Sequence, residues 1–283
     1  MSEYQFNHDD VLKWMSAAEK VIVEAGELIK TNLGKAANLA DKGENISEGH
    51  ASSVLTETDI AVEKLIRDTL KTQFKDHEFI GEEGGESCDG QIQDFKNNPT
   101  WIIDPIDGTT NFLHGIPHFA ISIALKSKNE IISGLIFDPI KNEMFCAEKG
   151  NGAYLNNSRI RVSNKKRIKD ALLVTGGPKH ASKIKDKIFS EYINVSKQVS
   201  NVRKFGSAAL DMAYVACGRF DGYWQRELNY WDIAAGVIIL KEAGGFIDFF
   251  EDDPKLPLKK NILASNSNIH EELKELINKK DIE

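Results

Sequence analysis

Trp101-Ile102-Ile103 runs directly into Asp104-Pro105-Ile106-Asp107-Gly108-Thr109-Thr110-Asn111, so a strand-like apolar run ends in two carboxylates three residues apart. Pro105 fixes its own φ and Gly108 tolerates unusual backbone angles, so the chain is expected to turn sharply and present both carboxylates to one point. The Ile106 carbonyl can face the same point. Such an oxygen-only set suits a hard divalent cation. No Lys or Arg occurs from Trp101 to Leu125, so a bound cation is a reasonable counter-charge. Taken alone, Asp-Pro-x-Asp-Gly reads first as an Asx turn closing a strand. The residues that follow favour chemistry: backbone N–H groups after a Gly turn can cradle a phosphate, and the Thr hydroxyls can orient water.

Two further acidic positions could join this site. Glu82-Glu83 lies in Gly81-Glu82-Glu83-Gly84-Gly85, which alone is a solvated loop. Asp232 follows Trp231 where a very apolar helix, Ile233 to Leu240, begins. There it could simply cap the helix, but a carboxylate at a buried helix start needs a partner. His114 and His118 are four apart, yet the chain there reads as loop and strand, which argues against a histidine metal pair. Cys88, Cys146 and Cys217 are odd in number and far apart, so they read as free thiols in a reducing compartment.

The elements that position these residues follow from periodicity. Val11, Met15, Ala18, Ile22, Ala25 and Ile29 recur at steps of four and three, predicting a helix over 9–32. Residues 35–55 read as a polar, irregular arm. A second helix is expected from about Asp59 to Phe74, with Ile60, Leu65, Ile66 and Leu70 facing inward. Short runs at 78–80, 101–103 and 119–125 predict strands, and 131–137 with 143–147 predict a hairpin around Asp138-Pro139. After 170 strands and helices alternate again: a strand at 172–174, helices near 181–198, 206–217 and 231–243, strands at 246–249 and 262–264, and a closing helix at 269–278. A strand at 220–224 is the least distinct.

Composition limits the classes. At roughly 150 residues per domain, 283 residues make one large domain or two modest ones. With 41% apolar and 28% charged residues the chain is globular, and its net charge of −7 argues against general attraction to phosphate backbones or anionic lipid. The N-terminal residues lack the pattern of a secretory signal, and no run approaches the ~20 apolar residues of a membrane helix. No nucleic acid or membrane partner is expected, and a cytoplasmic location follows by elimination.

Three separated motifs in order, Glu82-Glu83 after a strand, Asp104 to Asn111, and Trp231-Asp232-Ile233-Ala234-Ala235-Gly236 before Glu242-Ala243-Gly244-Gly245, resemble the inositol monophosphatase family of magnesium-dependent, lithium-sensitive phosphatases. The resemblance runs from about Val11 to Ile277, and Val202 to Arg219 is similar to the bacterial branch. It implies an α/β fold of alternating layers, α-β-α-β-α. It also implies a single phosphatase domain over 1–283, in which halves of about 1–165 and 166–283 enclose the metal site, and a homodimer. It implies that Glu82, Asp104, Asp107, Asp232 and the Ile106 carbonyl bind Mg²⁺, and that Thr109 and Glu82 position the attacking water. Asp59, in Thr56-Glu57-Thr58-Asp59, matches an acid that hydrogen-bonds the active-site Thr. Gly108 and Thr109 would hold the phosphate, while Gly206, Ser207, Ala208 and Asp232 would line the site for the alcohol.

The family often carries a Glu that contacts inositol hydroxyls where this sequence has Gln225, with Glu227 nearby. A Lys and an Asp of the arm fall here on Glu48 and Ser53, with Lys42 the nearest upstream Lys. The expected activity is Mg²⁺-dependent hydrolysis of inositol monophosphate or a similar small polyol phosphate. Alternatives are the same chemistry on histidinol phosphate, 3′-phosphoadenosine 5′-phosphate or a sugar bisphosphate, or a regulatory protein built on the phosphatase fold. The physics is consistent, since a phosphate monoester is already negative and its hydrolysis needs charge stabilisation more than a covalent nucleophile.

Overall fold

Apolar side chains of the central strands alternate between two cores, as a period of two requires. Trp101, Ile103, Ile121, Ile123, Leu125, Leu135 and Phe137 enter one core. Ile102, Ala120, Ala124 and Ile136 enter another. The structure, a computed structural model, describes residues 8–40, 50–83, 98–128, 130–179, 181–250 and 259–279, with side chains omitted at 34–40 and 50–52. Glu48, Lys42 and Cys88 lie outside the described residues.

One sheet holds β1 (Glu78–Gly81), β2 (Thr100–Asp107), β3 (Ala120–Ser127), β4 (Glu130–Asp138), β5 (Glu143–Glu148), β6 (Gly152–Leu155) and β7 (Ser158–Arg159) in sequence order. Only β1 and β2 pair in parallel. The second sheet contains β8 (Leu172–Thr175), β9 (Asn201–Arg203), β10 (Gly222–Asn229), β11 (Phe246–Phe249) and β12 (Lys259–Ser265), ordered β11-β12-β10-β8-β9.

Helices α1 (His8–Ala40) and α2 (His50–Gln73) cover the outer face of the first sheet. Helices α5 (Ala208–Ala216) and α6 (Tyr230–Glu242) fill the space between the sheets. Helices α4 (Lys185–Ser196) and α7 (His270–Asn278) cover the second sheet around Leu173, Trp224 and Leu263. A five-residue helix, α3 (Thr109–Leu113), follows β2. The architecture is therefore α/β with alternating layers, α-β-α-β-α. The small residues on the inner sheet face are needed because α6 comes very close: a Cβ on Gly134 would lie 2.6 Å from Ile238 Cγ2 and 2.9 Å from the Ala235 backbone.

Several expectations change. Helix α1 continues to Ala40 and α2 begins at His50, so most of the supposed irregular arm outside 41–49 is helical, and Ser53 lies on α2. Ala36, Ala37, Leu39 and Ala40 are good helix formers, and short-range polarity masked that propensity. Ile60 is 48% exposed, and Val62 takes the inward position beside Ile66 and Leu70. The indistinct strand at 220–224 is the first part of a longer β10.

Candidate active site

Asp104 and Asp107 are three positions apart and would point to opposite faces of a regular strand. They do not, because Asp104 pairs with Ser122 and Asp107 with Ala120, so β2 spends one more residue than β3 between those points. This is a β-bulge, and it reverses the parity of the residues beyond it. Both carboxylates thus face the α5–α6 side, while Ile106 packs with the α1–α2 core. The sharp turn expected after Asp104 is instead this bulge: Pro105, which lacks a ladder donor, is accommodated there and the strand continues to Asp107. The actual turn comes at Gly108, φ +102°.

Glu82 follows the C-terminal end of β1, beside β2 in the sheet. Its loop is held from α2, where Glu63 Oε2 accepts the Glu83 N–H at 2.8 Å. A Cβ on Gly81 would come within 2.3 Å of the Glu63 carboxyl carbon, so only glycine leaves room for that contact. Asp232 is the third residue of α6, not its cap; Asn229 takes the cap position and its N–H donates to Asp232 Oδ2 at 2.8 Å. Asp107 Oδ2 accepts from the Ser207 hydroxyl at 2.5 Å and from the Ala209 N–H at 2.7 Å.

Glu82, Asp104, Ile106, Asp107, Gly108, Thr109, Gly206, Ala208, Gln225 and Asp232 all line one cavity of about 240 Å³. Ser207 stands behind Asp107 and is fully buried, with its hydroxyl committed to that carboxylate. Asp59 is buried on α2 near Glu82; no hydrogen bond joins it to Thr109 among the described residues, and its Oδ1 has no partner there. His118 is buried against Phe205 and Tyr214, and burial lowers its pKa to about 4, whereas His114 is exposed. Cys146 and Cys217 are free thiols.

Other contributors were not singled out from sequence. Lys179, Gly176, Gly177, Leu228 and Asn229 also line the cavity. The available signal was Gly176-Gly177-Pro178-Lys179 directly after β8, a glycine-rich loop ending in a cation. Asn111 donates to both the His118 and Phe205 carbonyls at 2.7 Å and so ties the α3 region to the loop before α5.

The electrostatics are dominated by crowded acids. Burial, then Asp232, Glu83 and Asp107, push Glu82 up to about 7, with Lys179 opposing. Burial and Asp232 raise Asp107 to about 7 against the hydrogen bonds from Ser207 and α5. Asp104 is raised well above its ordinary range by burial, then by Asp107, Glu82, Asp232 and Asp59. Burial, Glu82, Glu83 and Glu63 raise Asp59 to about 8. Among the described residues no three His, Cys, Asp or Glu side chains form a ready-made metal-ligand group. The four carboxylates share one cavity and one field. Even so, the donor set fits a hard cation: it is all oxygen, and Asp104 Oδ1 is buried with no hydrogen-bond partner.

A family model described as "Inositol monophosphatase family" matches residues 10–281. The chain belongs to the inositol monophosphatase family. It is 39% identical over 258 residues to an inositol-1-monophosphatase of Rhizobium meliloti (strain 1021), covering 91% of this chain and 93% of that relative. It is 38% identical to the Nus factor SuhB of Pseudomonas aeruginosa, over 89% of this chain and 91% of that one. The crystal structure of the extragenic suppressor protein suhB from Bartonella henselae matches with a TM-score of 0.77 at 37% identity, covering 94% of this chain and 99% of that chain. As a member of this family the chain is a phosphoric monoester hydrolase. No helix among the described residues is long and apolar enough to cross a membrane.

Proposed function

We propose that the protein hydrolyses phosphate monoesters of small polyols, inositol monophosphate among them, and depends on Mg²⁺. The observation that carries this reading is the β2 bulge, which turns Asp104 and Asp107 to the side where Glu82 and Asp232 line the same cavity. Glu82, Asp104, Asp107, Asp232 and the Ile106 carbonyl would hold the cation. When bound, Mg²⁺ supplies charge that offsets the phosphoryl oxygens and the leaving alkoxide and eases deprotonation of water.

The chain's own groups do the rest. Glu82 and the Thr109 hydroxyl orient the attacking water, and Asp59 keeps the role the family resemblance gives it, accepting from Thr109. Backbone N–H groups at Gly108 and Thr109 receive phosphoryl oxygens. Gly206, Ala208, Gln225 and Asp232 face the alcohol, and Ser207 holds Asp107 in place. The two sheets work as one unit because α5 and α6 share their core with both of them. A cytoplasmic location and a homodimer are part of the same proposal.

Phosphate release from a panel of esters, with and without Mg²⁺, tests this. Hydrolysis of small polyol phosphates is expected only with the cation. No release from any ester in its presence refutes the reading; an inositol phosphate ranking far below other esters removes that substrate and leaves the chemistry. The relative named a Nus factor favours a second reading, a binding role on the same fold. Capture of a partner by the Asp104→Asn protein, whose turnover is expected to be lost, would support it.

A further inference from the structure

The cavity lining has two parts of opposite character. One is the acidic part described above. The other is built by Gly176, Gly177 and Lys179 after β8 and by Gln225 on β10. Gln225 is fixed there by two contacts. The buried Tyr223 hydroxyl donates to Gln225 Oε1 at 2.8 Å. The Gln225 carboxamide also packs closely on Gly176, where a Cβ would come within 2.0 Å of Oε1. With Oε1 already accepting, the free end of the carboxamide is Nε2, a donor.

The neighbours are donors as well. Lys179 lines the cavity, where its charge acts on Glu82 and Asp232, and its backbone carbonyl accepts the Ser182 N–H at 3.0 Å. Lys204 reaches the same loop, since a Cβ on Gly177 would lie 2.4 Å from its Nζ. Gln, Lys and Lys present hydrogen-bond donors and two positive charges, with no carboxylate among them to receive a hydroxyl proton.

A hydroxyl both donates and accepts, whereas an anionic oxygen only accepts, and charge-assisted bonds from cationic donors to it are the stronger kind. We infer that the alcohol portion of the preferred substrate bears a second anionic group, a phosphate or a carboxylate, received by Gln225 Nε2 and Lys179 with Lys204 at the rim. This inference rests on the phosphatase reading and narrows its substrate class.

Two matched pairs of esters test it with the wild-type chain: inositol 1-phosphate against inositol 1,4-bisphosphate, and glycerol 3-phosphate against 3-phosphoglycerate. The first pair adds a phosphate and the second a carboxylate, so the arms identify which anion is read. The wild-type protein is expected to favour the doubly anionic member of at least one pair by tenfold or more in kcat/KM. Lys179→Gln removes the charge, and Gly176→Ala displaces the Gln225 carboxamide while leaving every polar side chain present. Each should lower that preference ratio at least fivefold, whatever the absolute rates. Gln225→Glu should lower it further by placing a carboxylate against the anion.

A wild-type preference for the singly anionic member of both pairs overturns the inference. So does a ratio that Lys179→Gln leaves unchanged, because a lysine that merely offsets the acids would alter both esters alike. Hydrolysis of none of the four esters would instead bring down the phosphatase reading itself.

Discussion

The Ser207 hydroxyl donates to Asp107 Oδ2 at 2.5 Å, although the two residues stand 100 positions apart in the chain. Asp107 ends a strand of the first sheet, and Ser207 caps α5, accepting the Leu210 N–H at 3.3 Å. One carboxylate is therefore both part of the cavity lining and a hydrogen-bonded link between the first sheet and α5.

Ser207→Ala leaves Asp107 with fewer donors in a buried setting. A hydrogen bond to a charged group is worth about 1.5–3 kcal/mol, so the Mg²⁺ concentration for half-maximal activity should rise roughly tenfold or more. A Mg²⁺ titration of phosphate release measures it. An unchanged midpoint would show that Ser207 does not support that carboxylate.

Asp104→Asn keeps the volume of a buried side chain and removes one of four crowded acids. Turnover should fall by roughly a thousandfold or more, the scale of several kcal/mol of lost charge stabilisation. The fold should persist, because the asparagine introduces no new charge. The wild-type melting temperature should rise with added Mg²⁺, as binding at 100 times Kd contributes about 2.7 kcal/mol. The variant should lose most of that rise. Retention of both turnover and the Mg²⁺-linked melting shift would dismiss Asp104 as a ligand.

Gly134→Ala places a methyl group against the α6 backbone at Ala235 and the Ile238 side chain. Backbone cannot swing aside as a flexible side chain can, so a cost of about 1–3 kcal/mol is expected. Thermal melting in EDTA, which isolates packing from metal binding, should show a clear fall. A variant as stable as the wild type would mean that α6 shifts without penalty.

His77 is buried among Trp14, Phe74 and Trp101, and burial lowers its pKa to about 4, with Lys71 adding to the shift and Asp76 opposing it. In the unfolded chain it titrates near 6.5, so below that pH the unfolded state binds more protons. Its neutral form contributes stability that is complete above about pH 6.5 and is lost progressively as pH falls toward 4. His77→Phe should flatten this part of the stability curve between pH 7 and 4.5. Parallel urea denaturation series at several pH values compare the two proteins; superimposable slopes would exclude a contribution from His77.

Much of the frame was legible because its causes are local. The α1 stripe from Val11 to Ile29 is buried throughout, as its spacing requires. The hairpin around Asp138-Pro139 forms between β4 and β5. Asn156 and Asn157 both adopt positive φ in the turn between β6 and β7, which suits their side chains. Boundaries were less legible: α1 runs on to Ala40 because helix propensity persists beyond the apolar stripe. Gln225 and Leu228 line the same cavity although three apart, because β10 also has a register shift between them, with Glu227 at φ +58°. An alternating pattern read along the chain does not reveal the extra residue of a bulge.

By itself the sequence determined the chemistry on offer: oxygen donors at Glu82, Asp104, Asp107 and Asp232, a Gly-Thr-Thr turn after a strand, and the two periodicities that build helices and sheets. Those properties depend on side-chain type and near neighbours, which the linear order states outright. Tertiary structure decided that Asp104 and Asp107 share a face, that Ser207 stands behind Asp107 instead of lining the cavity, and that Lys179 and Gln225 line the same cavity as the acids. Each of these depends on register between paired strands or on contacts between segments about fifty to a hundred residues apart. They are set by burial and hydrogen bonding across the whole core, to which local propensity is blind.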